Sequence, residues 1–145
     1  MKTKQLEQAL IYHRDTKHIF MGVYPSDRLP RNIPKNKTVA LIANTDPTHK
    51  PGQHWVAFFF SKSTVYFFDS YGRSPAKSPF HRLMKYRRHQ KVFSRRLQGD
   101  GRTCGYYCLY FILAMIQNRN FVCFGDNLNA NDRYVVQFVK EHFHI

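Results

Sequence analysis

The sequence predicts an α+β domain, on three observations. Residues 53–61 (QHWVAFFFS) form an apolar run of strand length, and residues 64–70 (TVYFFDS) a second one just beyond Lys62-Ser63; together they read as a β-hairpin. Residues 103–117 (TCGYYCLYFILAMIQ) are apolar nearly all round, the pattern of a buried helix. The order along the chain is a helix, strands, a helix, a strand and then helices, which means an α+β domain.

Each element has its own signal. Leu6, Ala9, Leu10 and His13 stand at i, i+3, i+4 and i+7 and predict an amphipathic helix over 3–13. Residues 25–37 are rich in proline and basic side chains and read as a long surface loop. Residues 38–44 (TVALIAN) read as a strand. The near-continuous apolar character of 53–61 suits a strand covered on both faces. Ser78 followed by Pro79 predicts a helix start running to about Arg88. Residues 91–97 read as a strand. Val135, Phe138, Val139 and His142 predict a last helix, capped by Asn131 or Asp132.

Bulk properties narrow the function. The 145 residues suit one domain, 1–145, and 43% are apolar, enough for a core and against disorder. No run approaches the ~20 apolar residues of a membrane span, and the polar start lacks the apolar stretch of a secretory signal; no membrane role, no secretion and a monomer are expected. The three cysteines, Cys104, Cys108 and Cys123, do not make a disulfide framework. The CxxxC spacing lacks a further pair to complete a zinc site, so no metal is expected. Twenty-three Lys and Arg against nine Asp and Glu give a net charge of +14, a field that favours polyanions. Lys85, Arg87, Arg88, Lys91, Arg95 and Arg96, with Tyr86 interleaved, are the candidate nucleic-acid contacts; a solvated surface is the plainer alternative.

Four residues form a candidate catalytic set. Cys104 opens the buried helix, where the macrodipole and unpaired N–H groups favour a thiolate. His54 begins one hairpin strand and Asp69 ends the other. An imidazole near the thiol forms the ion pair of thiol catalysis, and a carboxylate fixes its tautomer. Gln98 offers an NH₂ and Cys104 its own N–H to an oxyanion, brought together by Gly99-Asp100-Gly101. Taken singly, each residue has a structural reading: a core cysteine, a strand-end histidine, a turn at Asp69-Ser70-Tyr71-Gly72. Cys108, one turn deeper on the helix, reads as core.

The joint pattern of His54-Trp55, Asp69 and Gln98-x5-Cys104-Gly105 resembles the superfamily of adenovirus proteases and ubiquitin-like-protein proteases. The wording of FMGVY at 20–24, DRLP at 27–30, LIANT at 41–45, GQHWVAF at 52–58, VYFFDSYG at 65–72 and CGYYC at 104–108 is similar to the adenovirus branch. The resemblance implies a small central mixed sheet with a buried helix bearing the nucleophile. It implies a cysteine endopeptidase that needs no cofactor for its chemistry, with His54, Asp69 and Cys104 as triad and Gln98 in the oxyanion hole. It also implies cleavage of viral precursor proteins at glycine-containing sites during particle maturation, in the virion or host nucleus, with DNA and an activating peptide as partners. Two features differ from the adenoviral pattern. Asp69 stands where those members carry Glu. No cysteine precedes Gln98 to take the disulfide that links the adenoviral enzyme to its peptide. A ubiquitin- or SUMO-like deconjugating enzyme and a non-enzymatic DNA-binding module are the alternative readings.

Overall fold

The computed structural model describes residues 1–46, 54–76, 79–99 and 102–145. In chain order the elements are helix α1 (Thr3–Tyr12), strands β1 (Phe20–Tyr24), β2 (Val39–Asn44), β3 (Trp55–Phe60) and β4 (Thr64–Phe68), a 3₁₀ helix (Phe80–Tyr86), strand β5 (His89–Phe93), and helices α2 (Cys104–Ile116) and α3 (Leu128–Phe143). The strands form one sheet in the order β1-β2-β3-β4-β5. Its two outer pairings are parallel and its two inner ones antiparallel, so the sheet is mixed.

The apolar run of β3 has a simple origin. Trp55, Ala57 and Phe59 face the core formed with α1, α2 and α3, while Val56, Phe58 and Phe60 face a second core. Successive strand side chains point to opposite faces, so a strand covered on both sides must be apolar throughout. The second core is closed by Leu29 and Ile33 from the loop after β1 and by Leu83 and Met84 of the 3₁₀ helix. The basic, proline-rich loop therefore supplies buried anchors as well as surface. α2 lies against β3 with ten of its thirteen residues buried, matching its nearly uniform apolar sequence. Phe68, Phe93, Phe111 and Phe121 form an aromatic cluster between sheet and helix.

Three sequence expectations are corrected, and one strand is added that the sequence reading did not assign. FMGVY forms edge strand β1, whose half-buried residues carry no period-2 signal. The segment before β5 is a seven-residue 3₁₀ helix ending at Tyr86; Arg87 is extended, and its buried guanidinium donates to Ser61 O at 2.6 Å, Pro34 O at 2.7 Å, Lys37 O at 3.1 Å and Tyr86 O at 3.0 Å. The predicted cap Ser78 lies outside the described residues. β5 runs from His89 only to Phe93, because Leu97 and Gln98 turn to donate both N–H groups to Ser70 O. α3 starts at Leu128, capped by the Asn127 side chain, which accepts from Ala130 N. Asn131 and Asp132 lie inside that helix and use their side chains elsewhere. Among the described residues no helix is long and apolar enough to cross a membrane.

Candidate active site

The hairpin puts His54 and Asp69 at one end. Its register pairs Ala57 with Phe68, so by continuation Asp69 stands opposite Val56, two positions from His54 and within diagonal reach. His54 Nε2 donates to Asp69 Oδ1 at 2.7 Å, and both side chains are nearly fully buried. Asp69 Oδ1 also accepts from Tyr71 N at 2.8 Å, and Oδ2 from Arg73 Nε at 3.0 Å. Gly72, at φ +74°, closes this turn by donating to Asp69 O at 2.7 Å. The left-handed conformation and a Ser94 carbonyl 2.6 Å from where a Cβ would sit both require glycine there.

With Nε2 spent on Asp69, the imidazole proton is assigned to that nitrogen and Nδ1 is the basic one. Nδ1 is buried and meets no nitrogen or oxygen partner among the described residues; the group that interacts with the imidazole besides Asp69 is the Cys104 thiol. The chemistry of the thiol identifies what it serves. Burial pushes the Cys104 thiol up, but His54 and the Trp55 backbone N–H outweigh it and hold it below the ordinary thiol value. Burial pulls His54 down, but Asp69 and Cys104 outweigh it and hold the imidazole above its ordinary value. Burial likewise opposes ionisation of Asp69, and His54, Tyr71 N–H and Arg73 overcome it to keep the carboxyl low. Each group thus favours the charged form of the next. Tyr71 stacks on the His54 ring at 4.6 Å between centroids and walls one side.

Gln98 is fully buried and enters from the segment after β5. Ser70 Oγ donates to Gln98 Oε1 at 2.5 Å, which fixes which end of the amide accepts and which donates. Of Gly99-Asp100-Gly101, only Gly99 lies among the described residues. Cys104 is the first residue of α2. Cys108, one turn on, is fully buried, and burial followed by the charges of Cys104 and Asp69 pushes its thiol far up; it is core. Cys123 is exposed, 3.3 Å from the Tyr110 hydroxyl.

The model of the adenovirus endoprotease family matches residues 20–98, more than half of the chain. The chain belongs to the adenovirus endoprotease family. The family match takes in His54, Asp69 and Gln98 and stops short of Cys104. The chain is 30% identical over 105 residues to the Acanthamoeba polyphaga mimivirus protein named "Putative thiol protease R355", covering 64% of this chain and 33% of that protein. Its fold is similar to the ASFV pS273R protease (TM-score 0.59, 20% identity, 92% of this chain and 63% of that one). It is also similar to ChlaDub1 from Chlamydia trachomatis (TM-score 0.54, 13% identity, 74% of this chain and 61% of that one). The chain therefore spans a third of the curated relative and under two thirds of each of these solved chains.

Of the basic residues singled out in this family member, Lys85, Arg88, Lys91, Arg95 and Arg96 are exposed. Arg87 is the correction: it is 7% exposed and its guanidinium is committed to the four backbone carbonyls above, so it holds the fold and is withdrawn from the nucleic-acid set. Arg95 donates to Phe124 O at 3.0 Å. Arg96 Nε donates to Gln98 O at 2.9 Å, and its guanidinium lies 5.1 Å from the Tyr71 ring centroid. Sequence reasoning missed Ser70, Tyr71, Arg73 and Arg96 as parts of the site. Their closeness in sequence to Asp69 and Gln98 was the available signal.

Proposed function

We propose that the chain is a cysteine endopeptidase in which His54, Asp69 and Cys104 form the triad and Gln98 the oxyanion hole. The observation that carries this is the imidazole of His54, held by Asp69 through Nε2 with Nδ1 buried and not committed to any nitrogen or oxygen among the described residues, and interacting with a thiol that it holds low. The Cys104 thiolate attacks the scissile carbonyl carbon, and the carbonyl oxygen takes the negative charge. The Gln98 NH₂ and the Cys104 N–H donate to that oxyanion. His54, protonated at Nδ1, gives its proton to the leaving amine as the C–N bond breaks and the thioester forms. A water then attacks the thioester, giving its proton to His54, and the acid product leaves as the thiolate returns. No metal or redox partner is needed for these steps.

Family membership supports substrates that are viral precursor proteins, cut at glycine-containing sites during particle maturation in the virion or host nucleus. The +14 charge supports assistance by DNA through Lys85, Arg88, Lys91, Arg95 and Arg96. An activating peptide is a further partner, and the lack of cysteine in residues 1–97 supports its binding there without a disulfide.

The test is hydrolysis of a fluorogenic Gly-Gly peptide library by wild type and Cys104→Ala, with and without duplex DNA. Hydrolysis that needs Cys104 and rises with DNA is expected. Hydrolysis indifferent to DNA removes the nucleic-acid part, and hydrolysis that survives in Cys104→Ala sinks the triad. Rapid reaction with a ubiquitin or SUMO probe, without peptide cleavage, would move the reading to deconjugation.

A further inference from the structure

The segment that carries Gln98 is tied down by the last helix as well as by Ser70. Asp132, on α3, is 7% exposed. Its carboxylate accepts from Gly99 N at 3.2 Å (Oδ1) and 3.1 Å (Oδ2), and Oδ1 accepts from the Thr103 hydroxyl at 3.2 Å and the Tyr107 hydroxyl at 2.7 Å. Asn131, 3% exposed, donates from Nδ2 to Leu97 O at 3.1 Å and to Gly125 O at 2.9 Å, and accepts from Gly125 N at 2.9 Å. Two consecutive residues of one helix therefore hold the residues on either side of Gln98 and the residue just before Cys104.

Burying a carboxylate is costly unless several donors meet it. A carboxylate has about four lone-pair sites, so it can accept from donors of separate segments at once. Here they come from the Gln98 segment and from the start of α2. The Thr103 contact has a second effect. A threonine at a helix N-cap ordinarily accepts from an N–H of the first turn. Thr103 stands at the cap of α2 but makes no such bond; its hydroxyl is given to Asp132. The first-turn N–H groups beside the thiol are thus not claimed by the cap side chain. Gly99 packs tightly here: a Cβ would stand 3.0 Å from Asp132 Oδ2 and 3.1 Å from Asn129 Oδ1, so those side chains would have to shift to admit one.

We infer that Asp132 is a positioning residue for the chemistry of Cys104, clamping the Gln98 segment to the start of α2 so that the Gln98 amide and the Cys104 N–H converge on one oxygen. This rests on the peptidase reading above. It acts through Gly99, Thr103 and Tyr107, and its effect belongs to the oxyanion step and not to the thiolate.

The experiment compares wild type, Asp132→Ala and Asp132→Asn in Gly-Gly peptide hydrolysis, in alkylation of Cys104 by iodoacetamide, and in backbone hydrogen exchange. In Asp132→Ala, kcat falls about 10²-fold, the scale of a lost oxyanion donor, while KM stays within about threefold. Alkylation, which builds no oxyanion, stays within about threefold of wild type. Asp132→Asn keeps one acceptor oxygen and recovers part of kcat. Exchange over 97–103 speeds at least tenfold in Asp132→Ala, with β3 and β4 unchanged. Wild-type kcat and exchange in both variants overturn the inference, as do kcat, alkylation and β3 protection all collapsing together. If wild type cleaves no peptide, the peptidase reading fails on its own, and exchange alone decides the clamp: unchanged protection over 97–103 sinks it.

Discussion

Ser70 donates its hydroxyl proton to Gln98 Oε1 at 2.5 Å, and its carbonyl accepts from the N–H of Leu97 at 2.9 Å and of Gln98 at 3.1 Å. Asp69 is its neighbour in the chain and holds His54. One two-residue step after β4 thus orients both His54 and Gln98, the proposed base and the proposed oxyanion donor, which come from opposite sides of it in the sequence.

This coupling makes Ser70 and Gln98 a non-additive pair. Gln98→Ala is expected to lower kcat by about 10²–10³-fold. Ser70→Ala frees the amide to rotate and lowers kcat by a smaller factor, about tenfold. The double variant should be no worse than Gln98→Ala, because Ser70 acts through the amide. A double-mutant cycle on kcat checks this; strictly multiplicative losses would refute it.

Alkylation against pH should separate the three thiols. Cys104 reacts at a pH below the ordinary thiol range, because His54 and the Trp55 N–H outweigh burial. In His54→Ala that help is lost while burial remains, so the half-point of the Cys104 limb moves to higher pH. Cys108 stays unreactive in the folded protein, its thiol being pushed far up. Cys123, exposed, reacts independently of His54. Mass-spectrometric mapping of iodoacetamide adducts across a pH series reads all three.

Stability in acid should depend on Asp69. Its carboxyl is held below the ordinary carboxylate value despite burial, so the stabilisation it contributes is present above that ordinary value. It is lost as pH falls through the lower, folded value. Urea unfolding from pH 7 downward should show wild type losing stability over this window, with a shallower slope for Asp69→Asn. Equal slopes would mean that the His54–Asp69 bond is not maintained in solution.

Arg87 should behave as a fold residue. Arg87→Ala leaves the carbonyls of Ser61, Pro34 and Lys37 without their charged donor and is expected to cost about 2–4 kcal/mol in urea unfolding, since each lost bond to a charged group is worth about 1.5–3 kcal/mol before relaxation. Lys85→Ala and Arg88→Ala, both exposed, should change stability by no more than about 0.5 kcal/mol. An Arg87→Ala protein as stable as wild type contradicts this assignment.

The hairpin, the buried helix and the order of elements were legible because each is a local pattern: period-2 or all-round apolar runs bounded by turn residues. The places of His54, Asp69 and Cys104 were legible because strand ends and a helix start lie at readable places in the chain; Gln98 lies in the irregular segment after β5. β1 was not, since a half-buried edge strand has no clean alternation. The extent of α3 was misread because Asn131 and Asp132 look like caps in one dimension. Arg87 looked like its exposed neighbours because charge is visible in sequence and burial is not. What the sequence by itself determined is most of the elements and the candidate set of His54, Asp69, Gln98 and Cys104, for which neighbours along the chain suffice. Only the tertiary structure decided which nitrogen of His54 is left for the thiol, how Ser70 orients Gln98, and that Asp132 binds the segments around both. Those bonds join residues 15 to 33 positions apart, and such pairings arise only when packing of the sheet and helices brings distant segments to one place.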